Sequence, residues 1–310
     1  MAETVLTELT SSKLFDLTGV VAVVTGGGTG IGLMISSTLL ANGATVYIIG
    51  PRQEDLDKVA KKYSDACEKT GRAGRMYGIE GDIRKKSEAL RLADEIGKRE
   101  QHVTVLFNNA GIHAGYYLLP QGASGTGYRD AVFNNVDEET FDNVMHTNAI
   151  GPYFMTFAFL PLLEKWKKSN GGSRFAPQIV MTVSMNGWTK DPATAGFSHP
   201  YMFSKAALGK ATSTLAHELL PLGIRVNGIA PGLFATSMSA PGTEDAAGMA
   251  HFPAGSQFPF QTPLGRPGPV PQGTKEDIAA LTLFLVANWF VDGETVLIDG
   301  GVLLKHPSSY

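Results

Sequence analysis

Cysteine occurs once, at Cys67, in a chain of 310 residues. No intrachain disulfide can form, and a reducing compartment fits. The seven histidines are scattered and no Cys/His pair has zinc-type spacing, so no metal site is expected. Charge is sparse as well: charged residues make up 18% and the net charge is -3. Without a basic run there is no electrostatic footprint for nucleic acid or an anionic membrane surface. Long hydrophobic runs are also missing. The longest, Ala279 to Phe290, is too short to span a bilayer. No charged segment followed by an apolar one opens the chain, and Ser308-Ser309-Tyr310 is not a peroxisomal signal. A soluble cytoplasmic protein is the expectation, with neither nucleic acid nor membrane as partner.

What is abundant is glycine, 36 of 310 residues or about 12%, against a usual value of about 7%. Such an excess points to tight turns and to places where backbone approaches something closely. Hydrophobic residues make up 43%, enough for one large core. Seven short apolar runs read as buried strands: Val20–Thr25, Thr45–Ile49, Met76–Ile79, Val103–Phe107, Gln178–Val183, Arg225–Ile229 and Thr295–Ile298. Helical patterns lie between them at 30–42, 53–69, 86–100, 137–168, 201–220 and 275–288. The alternation predicts an α/β fold, a doubly wound and mostly parallel seven-stranded sheet with helices on both faces. No repeat or linker divides the chain. A single domain over 18–310 is expected, preceded by a polar, loose arm at 1–17. Two Gly-, Pro- and aromatic-rich stretches, 113–136 and 236–274, fit no regular element and read as long loops, either functional or tolerated surface insertions.

The first strand runs into Thr25-Gly26-Gly27-Gly28-Thr29-Gly30-Ile31-Gly32. Glycines here let backbone approach a pyrophosphate, while the next helix aims its N-terminal N–H groups at the anion. A glycine-rich turn alone is weak evidence; between a first strand and its helix it marks a dinucleotide site. The second strand ends at Gly50-Pro51-Arg52, without the acidic residue that binds the ribose hydroxyls of NAD. A missing carboxylate together with the Arg52 guanidinium favours NADP(H); the alternative is that Arg52 opens the next helix in solvent. Gly81-Asp82-Ile83 follows the third strand, where a carboxylate can accept a hydrogen bond from an adenine amino group. Asn108-Asn109-Ala110-Gly111 closes the fourth, with small residues and amides suited to packing on a cofactor, or simply to a turn.

Tyr201 and Lys205 stand four apart at the head of a helical pattern and so share one face. Such a pair gains weight from Ser184 at the end of the fifth strand and from Asn148 in the preceding helical pattern. With these pieces the chain resembles the short-chain dehydrogenase/reductase family. The matching segments are TGGGTGIG (25–32), NNAG (108–111), the Asn of HTNAIGPY (146–153), the Ser of TVSMNG (182–187), YMFSK (201–205), RVNGIAPG (225–232) and LIDGG (297–301). They occur in family order from about residue 17 to 304, and the long loops and C-terminal segment are most similar to fungal members near the 3-oxoacyl-carrier-protein-reductase-like branch.

The resemblance implies a Rossmann-type fold and reduction of a ketone to a secondary alcohol by NADPH, reversibly. It implies that Tyr201 transfers the proton, its phenolate favoured by the Lys205 ammonium and a positive nicotinamide. Lys205 also binds cofactor ribose hydroxyls, Ser184 orients the substrate oxygen, and Asn148 holds a water in a proton relay. Pro231-Gly232 and Thr236 fall on the nicotinamide side. A homotetramer or homodimer is implied, with 137–168 and 201–220 as contacts. A small carbonyl or alcohol is the expected partner, of medium size and acyl, polyketide or secondary-metabolite type. Epimerisation or cyclisation on the same scaffold, and a non-catalytic dinucleotide-binding protein, stay open. Three departures stand out. Ser184 and Tyr201 are farther apart than the family usually has them, making 188–197 a longer loop, and both 113–136 and 236–274 are long. His113 and His199 read as solvated loop histidines, the alternatives being that His113 lines the cleft and His199 tunes the site.

Overall fold

Strands and helices alternate throughout the computed structural model, which describes residues 1–169, 172 and 174–310. In chain order they are α1 Ala2–Glu8, α2 Ser11–Leu14, β1 Val21–Thr25, α3 Gly30–Ala41, β2 Thr45–Gly50, α4 Gln53–Lys69, β3 Arg75–Glu80 and α5 Lys86–Arg99. Then follow β4 Val105–Asn108, α6 Gly125–Ala131, α7 Glu138–Met145, α8 Gly151–Lys167, β5 Gln178–Thr182, α9 His199–Leu219, β6 Arg225–Pro231, α10 Lys275–Ala287 and β7 Thr295–Ile298. The strands form one sheet in the order β3-β2-β1-β4-β5-β6-β7. Every pairing is parallel.

Burial explains why these segments are strands. β1 (VAVVT) and β5 (QIVMT) are buried along their whole length, as strands covered on both faces must be. Alternate residues feed opposite layers: Val21 and Val23 pack with α5, α8 and α9, whereas Ala22 and Val24 pack with α3, α4 and α10. Phe159 and Leu92 anchor the first layer, Ile35 and Leu285 the second.

The order reverses at β1, because β2 lies on one side and β4 on the other. The C-terminal ends of β1 and β4 therefore splay their following loops apart and leave a crevice between them. That crevice positions the site.

Several local features differ from the sequence pattern. The arm is not featureless: α1 and α2 form, although neither buries a residue. Leu17, expected in the arm, is fully buried, and its N–H donates to Asn42 O at 2.8 Å. The single helix expected over 137–168 is broken by a π-helical turn at His146–Ile150, between α7 and α8. Residues 113–136 hold α6, whose N-cap Ser124 accepts from the Gly127 N–H. Residues 236–274 form no helix or strand. Their aromatics bury against one another instead: Phe252, Phe258 and Phe260 gather with Leu233, Ala250 and Val270 in a satellite cluster.

Candidate active site

The β1–α3 turn is shaped for close approach of backbone to a ligand. Gly26 sits at φ 63°, and its N–H donates to Ile49 O at 2.7 Å. A Cβ on Gly32 would drive into the Gly26 carbonyl and come within 2.6 Å of the Asn109 amide. Only glycine lets the first turn of α3 lie against that loop. Thr29, Gly30, Ile31 and Gly32 line one side of a cleft of about 1610 Å³ along the strand ends. Thr25 and Gly28 are not on its wall. Thr25 is fully buried and its hydroxyl accepts from the N–H groups of Asn109 and Ala110 at 2.9 and 3.0 Å. It thereby holds the β4 turn against β1, and Asn109, Ala110 and Gly111 line the cleft as a result. Gly28 faces Leu56, behind the rim.

The far end of the cleft is charged. Asp82 and Ile83 line it, as does Arg84, which the sequence reading did not single out. Arg84 grips both Asp82 oxygens at 2.8 Å and also donates to Asn143 Oδ1. That bidentate pair holds the Asp82 carboxyl below the usual carboxylate range. Arg52 does not enter the cleft. Its side chain is 78% exposed and pairs with Asp55 at 2.5 Å. Gln53 beside it does line the cleft, and bridges Gly78 O and the Glu80 N–H.

At the other end the four chemical residues converge from three elements. Ser184 follows β5, almost fully buried, and its Oγ accepts from the Asn186 N–H at 3.2 Å. Tyr201 sits in the first turn of α9, where Pro200 and the N-cap Ser198 start the helix; Ser198 Oγ accepts from the Tyr201 N–H. One turn on, Lys205 Nζ lies 5.7 Å from the Tyr201 ring centroid and donates to Thr182 O at 2.8 Å. The π turn directs Asn148 inward, fully buried, where its amide accepts from Ile112 N at 2.8 Å and donates to Ile112 O and Ser204 Oγ. Gly111 sits between them: a Cβ there would be 3.2 Å from Asn148 Oδ1 and 3.4 Å from Lys205 Nζ. Pro231, Gly232 and Thr236 complete the wall.

Burial sets the electrostatics here. It pushes the Tyr201 phenol up, opposed by the nearby Ser184 hydroxyl. It pulls Lys205 down to about 8, with no carboxylate partner compensating. The phenol is thus set here by burial, Ser184 and Tyr116; the expected lowering involves Lys205 together with a positive nicotinamide.

A family model described as short chain dehydrogenase matches residues 20–247. The chain belongs to the short-chain dehydrogenase/reductase family. It is 33% identical to the short-chain dehydrogenase/reductase PhomF of Diaporthe leptostromiformis over the full length of both chains. VdtF of Byssochlamys spectabilis, named likewise, is 32% identical over 97% of this chain and 98% of its own. Among solved structures, the Pseudomonas aeruginosa RhlG/NADP active-site complex superposes with a TM-score of 0.69 at 28% identity, covering 93% of this chain and 98% of that one. Short-chain dehydrogenase/reductases are oxidoreductases that bind a nicotinamide dinucleotide. The glycine cradle at 26 and 32 and the long cleft fit that group.

The wall carries further side chains besides those to which the family motifs assign a role. Met185, Phe258 and Phe260 line the cleft beyond Tyr201. His113 lines it too, half-buried and hydrogen-bonded rather than solvated. His199 is also half-buried, stacked on Phe203 with its Nε2 3.2 Å from the Tyr117 hydroxyl. The long 188–197 loop folds as a short 3-10 turn at Pro192–Ala195 and is tied to the C-terminal segment. Lys190 N–H donates to Pro307 O, Ser309 N–H donates to Trp188 O, and His306 Nδ1 lies 2.7 Å from Asp191. None of these long-range ties has a local sequence signal. Among the described residues no cluster of metal-ligating side chains occurs, and no helix is long and apolar enough to cross a membrane.

Proposed function

We propose that this chain reduces a medium-sized, largely apolar ketone to a secondary alcohol with NADPH, and runs in reverse with NADP+. The observation that carries the reading is the convergence of Ser184, Tyr201 and Lys205, with Asn148 behind them, at one end of a dinucleotide-sized cleft. A bound nicotinamide supplies or accepts the hydride. The protein's own residues handle the oxygen and the proton. Ser184 and Tyr201 line the same end of the cleft and their hydroxyls act on one another, so a carbonyl oxygen bound between them receives two hydrogen bonds. As negative charge grows on that oxygen, the Tyr201 proton moves to it. Lys205 stabilises the phenolate left behind and holds ribose hydroxyls. Asn148, anchored on Ile112, orients a water that returns a proton towards Lys205. In the alcohol-oxidising direction each proton step reverses.

The preference for NADP(H) rests on the missing carboxylate after β2 and on Arg52. Its present partner Asp55 is three residues away on an exposed surface, and such a pair contributes only about 0–1 kcal/mol. Exchanging it for a 2′-phosphate costs little. Arg52→Ala is therefore expected to weaken NADPH binding by about 5–150-fold, as a charged hydrogen bond of roughly 1–3 kcal/mol would, and to leave NADH unchanged. Measuring both affinities on both proteins checks this. An alanine variant that keeps its NADPH preference would remove Arg52 from the assignment and point to Arg84.

The substrate reading rests on Met185, Met238, Phe258 and Phe260 on the cleft wall. The 236–274 loop lines the cleft with residues 236–239 and 258–260, and is held by its own apolar cluster and by Tyr63, whose hydroxyl donates to Ala247 O at 2.8 Å. Turnover of NADPH, then NADH, across ketones of graded size tests it. Bulky aryl or alkyl ketones should show kcat/KM well above acetone-sized ones, on the order of tenfold for each one or two methylenes buried. Equal values across the series would contradict an apolar pocket. The exposed Tyr153, Phe157 and Phe203 on α8 and α9 support a homodimer or homotetramer through those helices. The lone, buried Cys67 agrees with a cytoplasmic location.

A further inference from the structure

The Tyr201 ring has a neighbour that the proposed chemistry does not use. His113 follows the β4 turn, and its imidazole meets the phenol ring edge-on, with centroids 4.4 Å apart and planes at 77°. Both ring nitrogens are occupied. Nε2 lies 2.9 Å from Ala195 O, which can only accept, so Nε2 carries a hydrogen. Nδ1 lies 2.9 Å from the Tyr116 hydroxyl, whose single proton is shared between Nδ1 and the His113 carbonyl oxygen, also 2.9 Å away. One neutral tautomer satisfies both contacts. Burial keeps the ring neutral by lowering its pKa, and the nearby Lys205 charge acts in the same direction.

The backbone around His113 is shaped to admit the ring. Gly196 has φ 56°, and a Cβ on it would come within 3.2 Å of His113 Cε1. The two loops that meet here are joined independently of the imidazole. Tyr117 N–H donates to Phe197 O at 3.0 Å, Ser198 Oγ donates to Ala114 O at 2.5 Å, and Tyr116 pairs with Ser198 as an isolated bridge. Holding the loops together therefore does not need the side chain.

We propose that His113 is a positioning residue, whose ring, locked by Ala195 O and the Tyr116 hydroxyl, fixes the Tyr201 phenol and shields one of its edges from water. The inference rests on the assignment of Tyr201 as proton donor. The titratable groups facing the phenol are Lys205 on its own helix, and His113 and Tyr116 from the loop after β4. Tyr201 is held above its ordinary value chiefly by burial, so removing the shield lets water in and lets the phenol fall back. In ketone reduction the protonated phenol is the active form. Activity is lost as pH rises past its pKa, so a lower pKa moves that basic limb to lower pH.

The test is single-turnover ketone reduction against pH, followed by nicotinamide absorbance, for the parent, His113→Ala, His113→Phe and Tyr201→Phe. His113→Ala should slow the step by on the order of 10- to 100-fold, as a small misplacement of a reacting group does. NADPH affinity should stay at the parental value, and the basic limb should move down in pH. His113→Phe keeps an aromatic edge without the nitrogens and should recover most of the rate with the parental limb. His113→Ala at the parental rate overturns the inference. So does an equal loss in both variants with an unmoved limb, which reports hydrogen-bond anchoring alone. If Tyr201→Phe itself retains turnover, the proton-donor assignment fails instead.

Discussion

Tyr201→Phe is expected to lower ketone reduction by about 10²–10⁴-fold, the usual contribution of a positioned general acid. NADPH affinity should change by less than about threefold, because the hydroxyl acts on the transition state and not on the bound cofactor. Burial raises the Tyr201 phenol, so at neutral pH it carries its proton and is ready to donate it. Reduction should therefore hold steady through neutral pH and fall only on the alkaline side. Alcohol oxidation needs the phenolate and should rise with pH over the same range. Stopped-flow turnover and cofactor titration of the two proteins check both halves. A variant within about threefold of the parent on a chemistry-limited step would take the proton-transfer role away from Tyr201.

The second large effect couples function to stability at Lys205. This ammonium is buried with one carbonyl partner, Thr182 O, and burial brings it from its ordinary value near 10.5 down to about 8. A depressed lysine means that the folded state holds the proton less tightly than the unfolded one. The cost is fully present below about pH 8, shrinks as pH rises and is gone above the unfolded value. It amounts to about 3 kcal/mol on the scale of 1.36 kcal/mol per unit. Lys205→Met removes that cost and leaves the Thr182 carbonyl without its donor, a loss of about 1 kcal/mol. The variant should thus be more stable than the parent by about 2 kcal/mol at pH 7, with the gain vanishing before pH 10.5 and turning into a loss of about 1 kcal/mol above it, while turnover is lost. Urea unfolding at a series of pH values measures this. Unchanged or lower stability at pH 7 would mean that the buried ammonium is compensated by groups other than Thr182 O. Such a trade of stability for a reactive group is common where a site needs an uncomfortable charge.

How much of this was legible in the sequence depends on the range of the interactions. β1, β5 and β6 were read to within a residue or two because a strand buried on both faces must be an unbroken apolar run. The glycine turn and the Tyr201–Lys205 spacing are local, so their placement followed from the chain itself. α6 was missed because Gly125-Thr-Gly-Tyr carries no helical periodicity; its N-cap Ser124 and the packing of Ala131 make it. The π turn was missed for a similar reason, since one extra residue per turn leaves HTNAI looking like ordinary helix. Arg52 faces Asp55 because a residue at a helix start meets the one three positions on. His113 was read as solvated because its partner Ala195 lies on a loop 82 residues away. The aromatics of 236–274 bury chiefly against one another, in a cluster that no local periodicity marks.

Chemistry on the cleft is the central claim, and isotope transfer tests it most directly. The purified protein is given a bulky prochiral ketone and NADPH deuterated at its transferable position, and the product is read by mass spectrometry and NMR. Direct reduction predicts one deuterium per product molecule, on the carbinol carbon, in step with NADPH consumed, with labelled product forming about 10²–10⁴-fold more slowly with Tyr201→Phe. Product formed without deuterium, or substrate rearranged with no net consumption of NADPH, would contradict ketone reduction and favour epimerisation or cyclisation on the same scaffold.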